Sequence, residues 1–333
     1  MFAIDEKIEA GGREKMNEEL IKLVQIQKPD VLFCFLFTEE LKKETIDSIT
    51  RKTSTKTFNW FADDHWRFEI FSKYWAPHFT LVSTTDSEAL SKYHRAGIKN
   101  VIKTQWAANT FLYQPQNNAE FNAQQRGIYG ITFVGKNYGN RGKYISFLKN
   151  SQLPAEGYGS GWEKGRVSQE QMLEFFSNSK INLNFTESPY LGFMNKLKFM
   201  SKLFLERQSF LGDWNFKFQI FRQRRIFTTN FKFFRQAIIG AQRKQIKGRT
   251  FEIPACGGFL LTGDADNLRD YYIDGKEIVI FENKNDLAEK CKYYLEHDAE
   301  RQQIAEMGYQ RTIKEHTYAH RFREIFKALN LSL

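Results

Sequence analysis

Short apolar runs alternate with helical patterns along most of the chain, and the alternation comes in two series. The runs of the first series cover residues 31–37, 57–61, 79–83 and 101–104. Those of the second series cover residues 130–134, 181–185, 258–262 and 277–281. Strand, helix and strand at this spacing predict parallel sheets with helices on both faces, because parallel strands need a long crossover connection. The chain is therefore predicted to be an α/β protein with two Rossmann-like domains.

The length of the chain agrees with two domains. Its 333 residues exceed what one hydrophobic core usually supports. The polar stretch 114–126 separates the two series of runs. It places the first domain in residues 1–127 and the start of the second at residue 128. Ligands of such sheets bind at the carboxyl ends of the strands, so we expect the functional site at a cleft between the domains.

The chain is basic, with a net charge of +10 and a pI near 9.3. This charge favours anionic partners: a nucleotide, an acidic lipid surface or a nucleic acid. It does not distinguish among them. The excess is local, since residues 193–249 hold many Lys and Arg side chains against the two acids Glu206 and Asp213.

The lack of a recognisable targeting signal and the cysteine usage both predict a cytoplasmic location. No long uninterrupted apolar window is present, and the N-terminus lacks a basic segment followed by an apolar one. The three cysteines are odd in number and show no C-x-x-C spacing, so we expect them to be reduced and mostly buried.

Residues 249–258, with the sequence RTFEIPACGG, combine a helix end, a glycine turn and the start of a buried strand. This order places Glu252 at a cleft. A carboxylate there can accept hydrogen bonds from both ribose hydroxyls of a nucleotide. Gly257 and Gly258 have no side chain, so they let a phosphate or a sugar approach the backbone closely.

This block resembles the nucleotide-binding helix of GT-B glycosyltransferases, and most closely that of the spore-maturation CgeB-like branch. Further matches to that branch lie in 60–66, 133–135, 158–162, 275–277, 287–295, 300–305, 308, 316–318 and 321. Together the matches cover residues 28–110 and 128–325 with one gap. The resemblance implies a hexosyltransferase-type enzyme that uses a sugar nucleotide in polysaccharide or glycoconjugate synthesis. It implies no obligatory metal or other cofactor, a nucleotide-binding domain at 128–318, and a C-terminal helix, 319–333, that crosses back to the first domain.

The chain departs from the GT-B pattern in two places. A GT-B domain normally opens with a hydrophobic strand and a glycine loop, whereas residues 1–12 offer only Phe2 to Ile4, so the first strand is expected to be missing. Retaining enzymes of this type carry a second glutamate eight residues before the ribose-binding one. That position is Lys244, which leaves the stereochemical outcome open and can face phosphate instead.

Three cations are candidates for binding a diphosphate. Lys136 and Arg141 follow the first strand of the second domain together with Gly135, where backbone N–H groups and positive side chains can meet a pyrophosphate. Arg249 lies three residues before Glu252 and can neutralise a phosphate while Glu252 binds the ribose. The alternative for Lys136 and Arg141 is an ordinary solvated loop.

The segment around Tyr158, Gly159 and Trp162 can place an aromatic ring beside a base or a sugar. The alternative is a turn whose tryptophan closes the core. Asn184 ends a predicted strand and points to the cleft only if that strand ends there.

Asp63, Asp64 and His65 follow a strand of the first domain, where an acceptor hydroxyl is expected to arrive. A carboxylate or an imidazole there can act as general base. The alternative is that one Asp caps the helix beginning near Trp66 and His65 is exposed beside it. We predict no metal at this Asp-Asp pair, and we interpret His316 and His320 as structural because no third ligand accompanies them.

Residues 193–247 interrupt the resemblance and interleave phenylalanines with cations. Such a segment suits an anionic membrane surface, where it would bring the enzyme to a lipid-linked acceptor. It also suits single-stranded nucleic acid, which we consider unlikely as the partner. The remaining alternative is a helical hairpin that packs its phenylalanines on the second domain.

The resemblance, together with the candidate site residues, implies a glycosyltransferase that moves a sugar from a nucleoside-diphosphate sugar to a glycan, a lipid-linked acceptor or a protein. It would work in the cytoplasm, with peripheral attachment to the inner face of the membrane as an option. The alternative is a non-catalytic GT-B scaffold that binds membrane or nucleic acid through its basic insert.

Overall fold

The structure is a computed structural model that describes residues 2–115, 127–188 and 238–331. The described residues form two compact units. The first unit contains residues 2–105, 238–241 and 323–331. The second contains residues 106–115, 127–188 and 242–322. Residues 106–115 thus group with the second unit, although the sequence pattern places them in the first domain.

The first unit is built on a four-stranded parallel sheet with the order β1-β2-β3-β4. Its strands are β1 (Val31–Cys34), β2 (Lys56–Phe61), β3 (Leu81–Thr84) and β4 (Val101–Lys103). Each lies within or beside a run predicted to be a strand, although β1 ends three residues before the run does. Parallel pairing of consecutive strands requires crossover helices between them.

Helices cover this sheet. They are α1 (Ile4–Gln27), α2 (Lys43–Lys52), the short α3 (Asp64–Arg67) and α4 (Lys73–Trp75), and α5 (Ser87–Arg95). Helix α1 bends at Gly12, whose φ of 79° lies in the left-handed region that favours glycine. Met16 and Leu20 of α1 and Ile46 and Ile49 of α2 are buried in one apolar core with residues of the sheet.

The second unit is built on a five-stranded parallel sheet with the order β6-β5-β7-β8-β9. Its strands are β5 (Tyr129–Val134), β6 (Ala155–Tyr158), β7 (Ser179–Asn184), β8 (Leu260–Gly263) and β9 (Val279–Phe281). Strand β5 pairs with β6 on one side and with β7 on the other, so the direction of the strand order reverses there. Such a reversal opens a crevice at the carboxyl ends of β5 and β7.

Helices pack on both faces of this sheet, which confirms the α/β prediction. They are α6 (Arg141–Asn150), α7 (Gln169–Asn178), α8 (Arg249–Ala255), α9 (Lys284–Glu296) and α10 (Asp298–Glu315), and α11 (Tyr318–Ala328) follows them in the chain. One apolar core contains buried side chains of α6, α9 and α10. A second contains those of α7 and α8. From residue 323 onward the chain of α11 belongs to the first unit.

Helix α8 ends in a Schellman turn that requires both glycines. The N–H of Gly257 donates to the Pro254 carbonyl at 2.8 Å and that of Gly258 to the Ile253 carbonyl at 3.1 Å. Gly257 has a φ of 72°, which L side chains rarely adopt. A Cβ at Gly258 would lie 2.1 Å from the Phe176 carbonyl oxygen, so only glycine lets this turn lie so close to α7.

All three cysteines are free and buried, as predicted. Cys34 lies in β1 of the first unit, and burial raises its pKa to about 12. Cys256 follows α8 and Cys291 lies in α9, and burial raises the pKa of both thiols further. Among the described residues, no helix combines the length and the hydropathy that crossing a membrane requires.

Gly258→Ala is expected to destabilise the second unit by about 3 kcal/mol, because its methyl group would overlap a backbone carbonyl that cannot move aside. Denaturant unfolding measures the change. Gly142→Ala is the matched control, since a Cβ there would meet only the Asn137 side chain, at 3.2 Å. Equal stabilities for the two variants would contradict this account of the turn.

Candidate functional site

Glu252 lies at the crevice where the strand order reverses. It belongs to the first turn of α8, and its side chain forms an ion pair with Arg249, three residues earlier in the same turn. Nε of Arg249 donates to the carbonyl of Val134, the last residue of β5, at 3.4 Å. The side chains of Arg249 and Glu252 are 29% and 16% exposed, so the pair is held by the protein and still reaches solvent.

The Arg249 guanidinium has further contacts with α7. Nη2 donates to Sδ of Met172 at 3.1 Å, and the guanidinium carbon lies 5.1 Å from the centre of the Phe176 ring. Stacking on an aromatic face stabilises a guanidinium in a fixed plane. Arg249 therefore joins three elements: the end of β5, α7 and α8.

Two tyrosines lie beside this pair: Tyr113, which the sequence patterns do not single out, and Tyr318, which ends the matched segment 316–318. Burial, then the charge of Glu252, raises the pKa of Tyr113 to about 12. The same two causes raise the pKa of Tyr318. A bridge between Ala108 and Thr317 aligns the two chain segments that carry them. Because this pairing is non-local, no local motif could have identified Tyr113, and the match at 316–318 does not indicate that Tyr318 lies beside Glu252.

Of the cations in the loop after β5, Lys136 is exposed and Arg141 is buried. Arg141 donates to the Lys136 carbonyl at 2.9 Å, to the Tyr138 hydroxyl at 2.6 Å and to the Phe185 carbonyl at 3.2 Å. Burial lowers its pKa. The buried Arg141 thus stabilises the loop through these hydrogen bonds, while the side chain of Lys136 is exposed to solvent.

The turn after β6 packs against the same loop. Nε1 of Trp162 donates to the Gly135 carbonyl at 2.7 Å, and its ring lies 5.7 Å from Phe133 in an edge-on arrangement. Tyr158 stacks on Phe175 with 4.3 Å between ring centres. Gly159 has a φ of 123° and approaches Gly135 so closely that a Cβ would lie 2.5 Å from its carbonyl oxygen. These contacts favour the alternative of a turn that closes the core.

Asn184 and the glycine pair are buried beneath α8. Nδ2 of Asn184 donates to Oγ1 of Thr250 at 3.1 Å and to Oγ1 of Thr262 at 3.0 Å. The asparagine therefore ties β7 to α8 and β8 instead of pointing out of the sheet. Gly257 and Gly258 are likewise used in packing, so α8 is fixed from beneath and at its end.

In the first unit, Asp64 is fully buried. The Tyr93 hydroxyl donates to its Oδ2 at 2.9 Å. Burial raises the pKa of Asp64 to about 6, against the opposing effect of hydrogen bonds from Ser72, Thr84 and Tyr93. A carboxylate so enclosed cannot touch an acceptor in this conformation.

The capping alternative for this segment needs two corrections. Asp63 occupies the N-cap position of α3, but its side chain makes no capping hydrogen bond, and its backbone carbonyl accepts from Trp66 and Arg67 instead. His65 is 7% exposed and therefore buried, not exposed beside the helix. Asp63 is the one of the three candidate bases that keeps partial exposure.

The two histidines near the C-terminus both form hydrogen bonds to protein groups. Nε2 of His316 lies 2.7 Å from the Tyr271 carbonyl, and Nδ1 of His320 lies 2.7 Å from Oγ1 of Thr317. Within residues 2–115, 127–188 and 238–331 no group of His, Cys, Asp or Glu is arranged to hold a metal ion. Lys244 is exposed, and residues 193–237 of the predicted basic insert lie outside the described residues.

The sequence model of a family described as "Glycosyl transferase-like" matches residues 216–327, which is less than half of the chain. The match contains α8 and its glycine turn. It begins inside the segment predicted as an insert. No curated protein sequence matches the chain significantly.

Solved glycosyltransferase structures resemble the whole chain. A glycosyltransferase from Rickettsia africae ESF-5 superposes with a TM-score of 0.58 at 9% identity, covering 95% of this chain and 81% of its own. Anabaena HepE in complex with UDP superposes with a TM-score of 0.58 at 9% identity, covering 96% of this chain and 83% of its own. Sucrose-phosphate synthase from Thermosynechococcus elongatus superposes with a TM-score of 0.56 at 10% identity, covering 97% of this chain and 80% of its own. HepE has also been solved with UDP-glucose. At such low identity these similarities show the fold alone, and that fold is of the GT-B type.

Asp64→Asn is expected to change how stability depends on pH. The folded state holds the Asp64 proton more tightly than the unfolded chain does, because burial raises the pKa of Asp64 to about 6. This contribution to stability is fully present below the unfolded pKa of about 4 and is lost as the pH rises through about 6. From pH 4 to 7 the wild type should therefore lose about 2 kcal/mol of unfolding free energy relative to the variant.

Denaturant unfolding at several pH values measures this difference. Asp30→Asn, at an exposed position of the same unit, is the control and should leave the pH dependence of the wild type unchanged. If the difference in unfolding free energy between wild type and Asp64→Asn did not depend on pH, the pKa of Asp64 would not be raised in the folded protein.

Proposed function

We propose that the chain is a glycosyltransferase that transfers a sugar from a nucleoside-diphosphate sugar. One observation carries the proposal: a partly exposed carboxylate, Glu252, is fixed at the carboxyl end of β5, where the strand order of a GT-B-type sheet reverses. Such crevices are where doubly wound sheets bind nucleotides. The similarity to the "Glycosyl transferase-like" family and to HepE, solved with UDP and with UDP-glucose, supports the same function.

In this proposal Glu252 binds the nucleoside. An ionised carboxylate only accepts hydrogen bonds, so it suits the two adjacent hydroxyls of a ribose. The Tyr113 phenol, beside Glu252, lies where it can contact the same part of the nucleotide. The loop after β5, with exposed Lys136, is proposed to bind the diphosphate.

The reaction breaks the bond between the anomeric carbon of the sugar and the diphosphate oxygen while an acceptor hydroxyl attacks that carbon. Negative charge develops on the leaving diphosphate. Lys136 and the backbone N–H groups of its loop are proposed to stabilise that charge without an obligatory metal ion. Of the predicted bases in the first unit, we propose Asp63 for the acceptor hydroxyl, because Asp64 and His65 are buried.

The finer assignments follow from the resemblance of the sequence. We propose a hexosyl donor and a glycan, lipid-linked or protein acceptor in polysaccharide or glycoconjugate synthesis, with the CgeB-like branch as the nearest type. Contact with an anionic membrane surface is proposed for residues 193–247. Most of that segment lies outside the described residues, so the proposal rests on its composition.

Thermal stabilisation by UDP, GDP, CMP and dTDP and their common sugar conjugates, with and without EDTA, tests the donor site. We expect one nucleoside diphosphate to raise the melting temperature through preferential binding to the folded state, independently of EDTA. Glu252→Ala should weaken that binding by about 1–3 kcal/mol, the value of a hydrogen bond to a charged group.

Glu289→Ala is the matched control, because Glu289 is an exposed glutamate on α9 of the same unit. It should bind the nucleotide as the wild type does. Absence of a shift with every nucleotide would refute the donor site. In that case the non-catalytic scaffold, tested by binding to anionic vesicles and single-stranded nucleic acid, would be the better interpretation.

Gly248→Ala is expected to weaken nucleotide binding and to leave the melting temperature nearly unchanged. A Cβ at Gly248 would lie 2.9 Å from Oε1 of Glu252, at the end of a flexible side chain that can move away at low cost. The carboxylate, and not the fold, should therefore shift. Isothermal titration and a melting curve on the same sample distinguish the two effects, and unchanged affinity would argue against Oε1 as a ligand-binding atom.

A further inference from the structure

We propose that Arg249 is a positioning residue for Glu252 and does not bind phosphate. Its role would be to orient the carboxylate so that the site distinguishes a ribonucleotide from a 2′-deoxyribonucleotide. This inference rests on the proposed function, because it assigns a role within the same nucleotide site. It replaces the expectation that Arg249 neutralises the diphosphate.

The contacts of the guanidinium carry the inference. Nε is directed at the Val134 carbonyl, Nη1 at Oε2 of Glu252 and Nη2 at the sulfur of Met172. A guanidinium presents its N–H groups in one rigid plane. Three of its five N–H groups already donate to protein groups. The Tyr113 phenol also hydrogen-bonds to the guanidinium, so few of its N–H groups remain for a phosphate.

One face of that plane is also occupied. Phe176 lies 5.1 Å from the guanidinium carbon, and the Tyr113 phenol interacts with both Arg249 and Glu252. Met172 and Phe176 belong to α7 and Val134 to β5, so the anchors lie outside the helix that carries Glu252. A side chain fixed to neighbouring elements holds its partner in one orientation better than a solvated cation does.

The ion pair with Arg249 uses one of the two carboxylate oxygens of Glu252. Arg249 contacts Oε2, whereas Oε1 lies next to Gly248, where the missing side chain provides room. A carboxylate held in this way can meet two adjacent hydroxyls with a fixed geometry. A carboxylate that rotates freely would accept from one hydroxyl almost as well, and the 2′-hydroxyl would then contribute little.

Isothermal titration of UDP, 2′-deoxy-UDP and UMP to wild type, Glu252→Ala, Arg249→Lys and the double variant tests the inference; guanine nucleotides are used if GDP is the diphosphate that binds. The wild type should prefer UDP to 2′-deoxy-UDP by about tenfold, as expected for a hydrogen bond to a charged group. Arg249→Lys and Glu252→Ala should each reduce this ratio towards one.

The ratio of the UDP and UMP affinities measures how much the second phosphate contributes to binding. This ratio should stay at the wild-type value in Arg249→Lys. Lysine keeps the charge but lacks the planar fork, so charge alone should not restore the preference for ribose. The double variant should match Glu252→Ala in the preference for ribose, because Arg249 acts through Glu252.

A preserved ribose preference in Arg249→Lys, with a reduced UDP to UMP ratio, would overturn the inference and make Arg249 a phosphate ligand. An equal loss of affinity for all three nucleotides, together with a lower melting temperature, would also overturn it, because it would show a general structural role. A wild-type protein that binds no nucleoside diphosphate would refute the proposed function itself, which is a different result from either.

Discussion

The close contact between Gly258 and the Phe176 carbonyl is the constraint on which the site depends. It brings the end of α8 against α7, and Asn182 reinforces the contact by donating to the same carbonyl at 3.0 Å. At the other end of α8, Asn184 holds Thr250. The helix is thus fixed at both ends on the strands beneath it. Because α8 is fixed, Arg249 and Glu252 have a defined position at the end of β5.

Much of the fold could be predicted from local patterns. The alternation of apolar runs with helices is enough to indicate two parallel sheets, because each run must be buried between helices on both faces. The exception is β6, whose sequence Ala155–Tyr158 contains a glycine and a glutamate and does not form an apolar run. It is an outer strand of its sheet and needs less apolar surface than the central strands do.

The candidate site was only partly predictable. The block around Glu252 is local in sequence, so its helix and its glycine turn could be identified. The directions in which the side chains point could not be predicted in the same way. Arg141 turns inward because carbonyls of Lys136 and Phe185 accept from it, and Asp64 is enclosed because α5 places Tyr93 beside it. These contacts join segments that are distant in sequence, so a local pattern cannot predict them. Tyr113 could not be identified for the same reason.

The buried cysteines give each unit an internal reporter of opening. Alkylating reagents react with the thiolate, so burial and a raised pKa both suppress the reaction while the protein is folded. Cys34 belongs to the first unit, and Cys256 and Cys291 belong to the second. A thiol becomes reactive only when the elements around it separate. Peptide mapping after a pulse of iodoacetamide can therefore read the opening of the two units separately in one sample, with no label and no added cysteine.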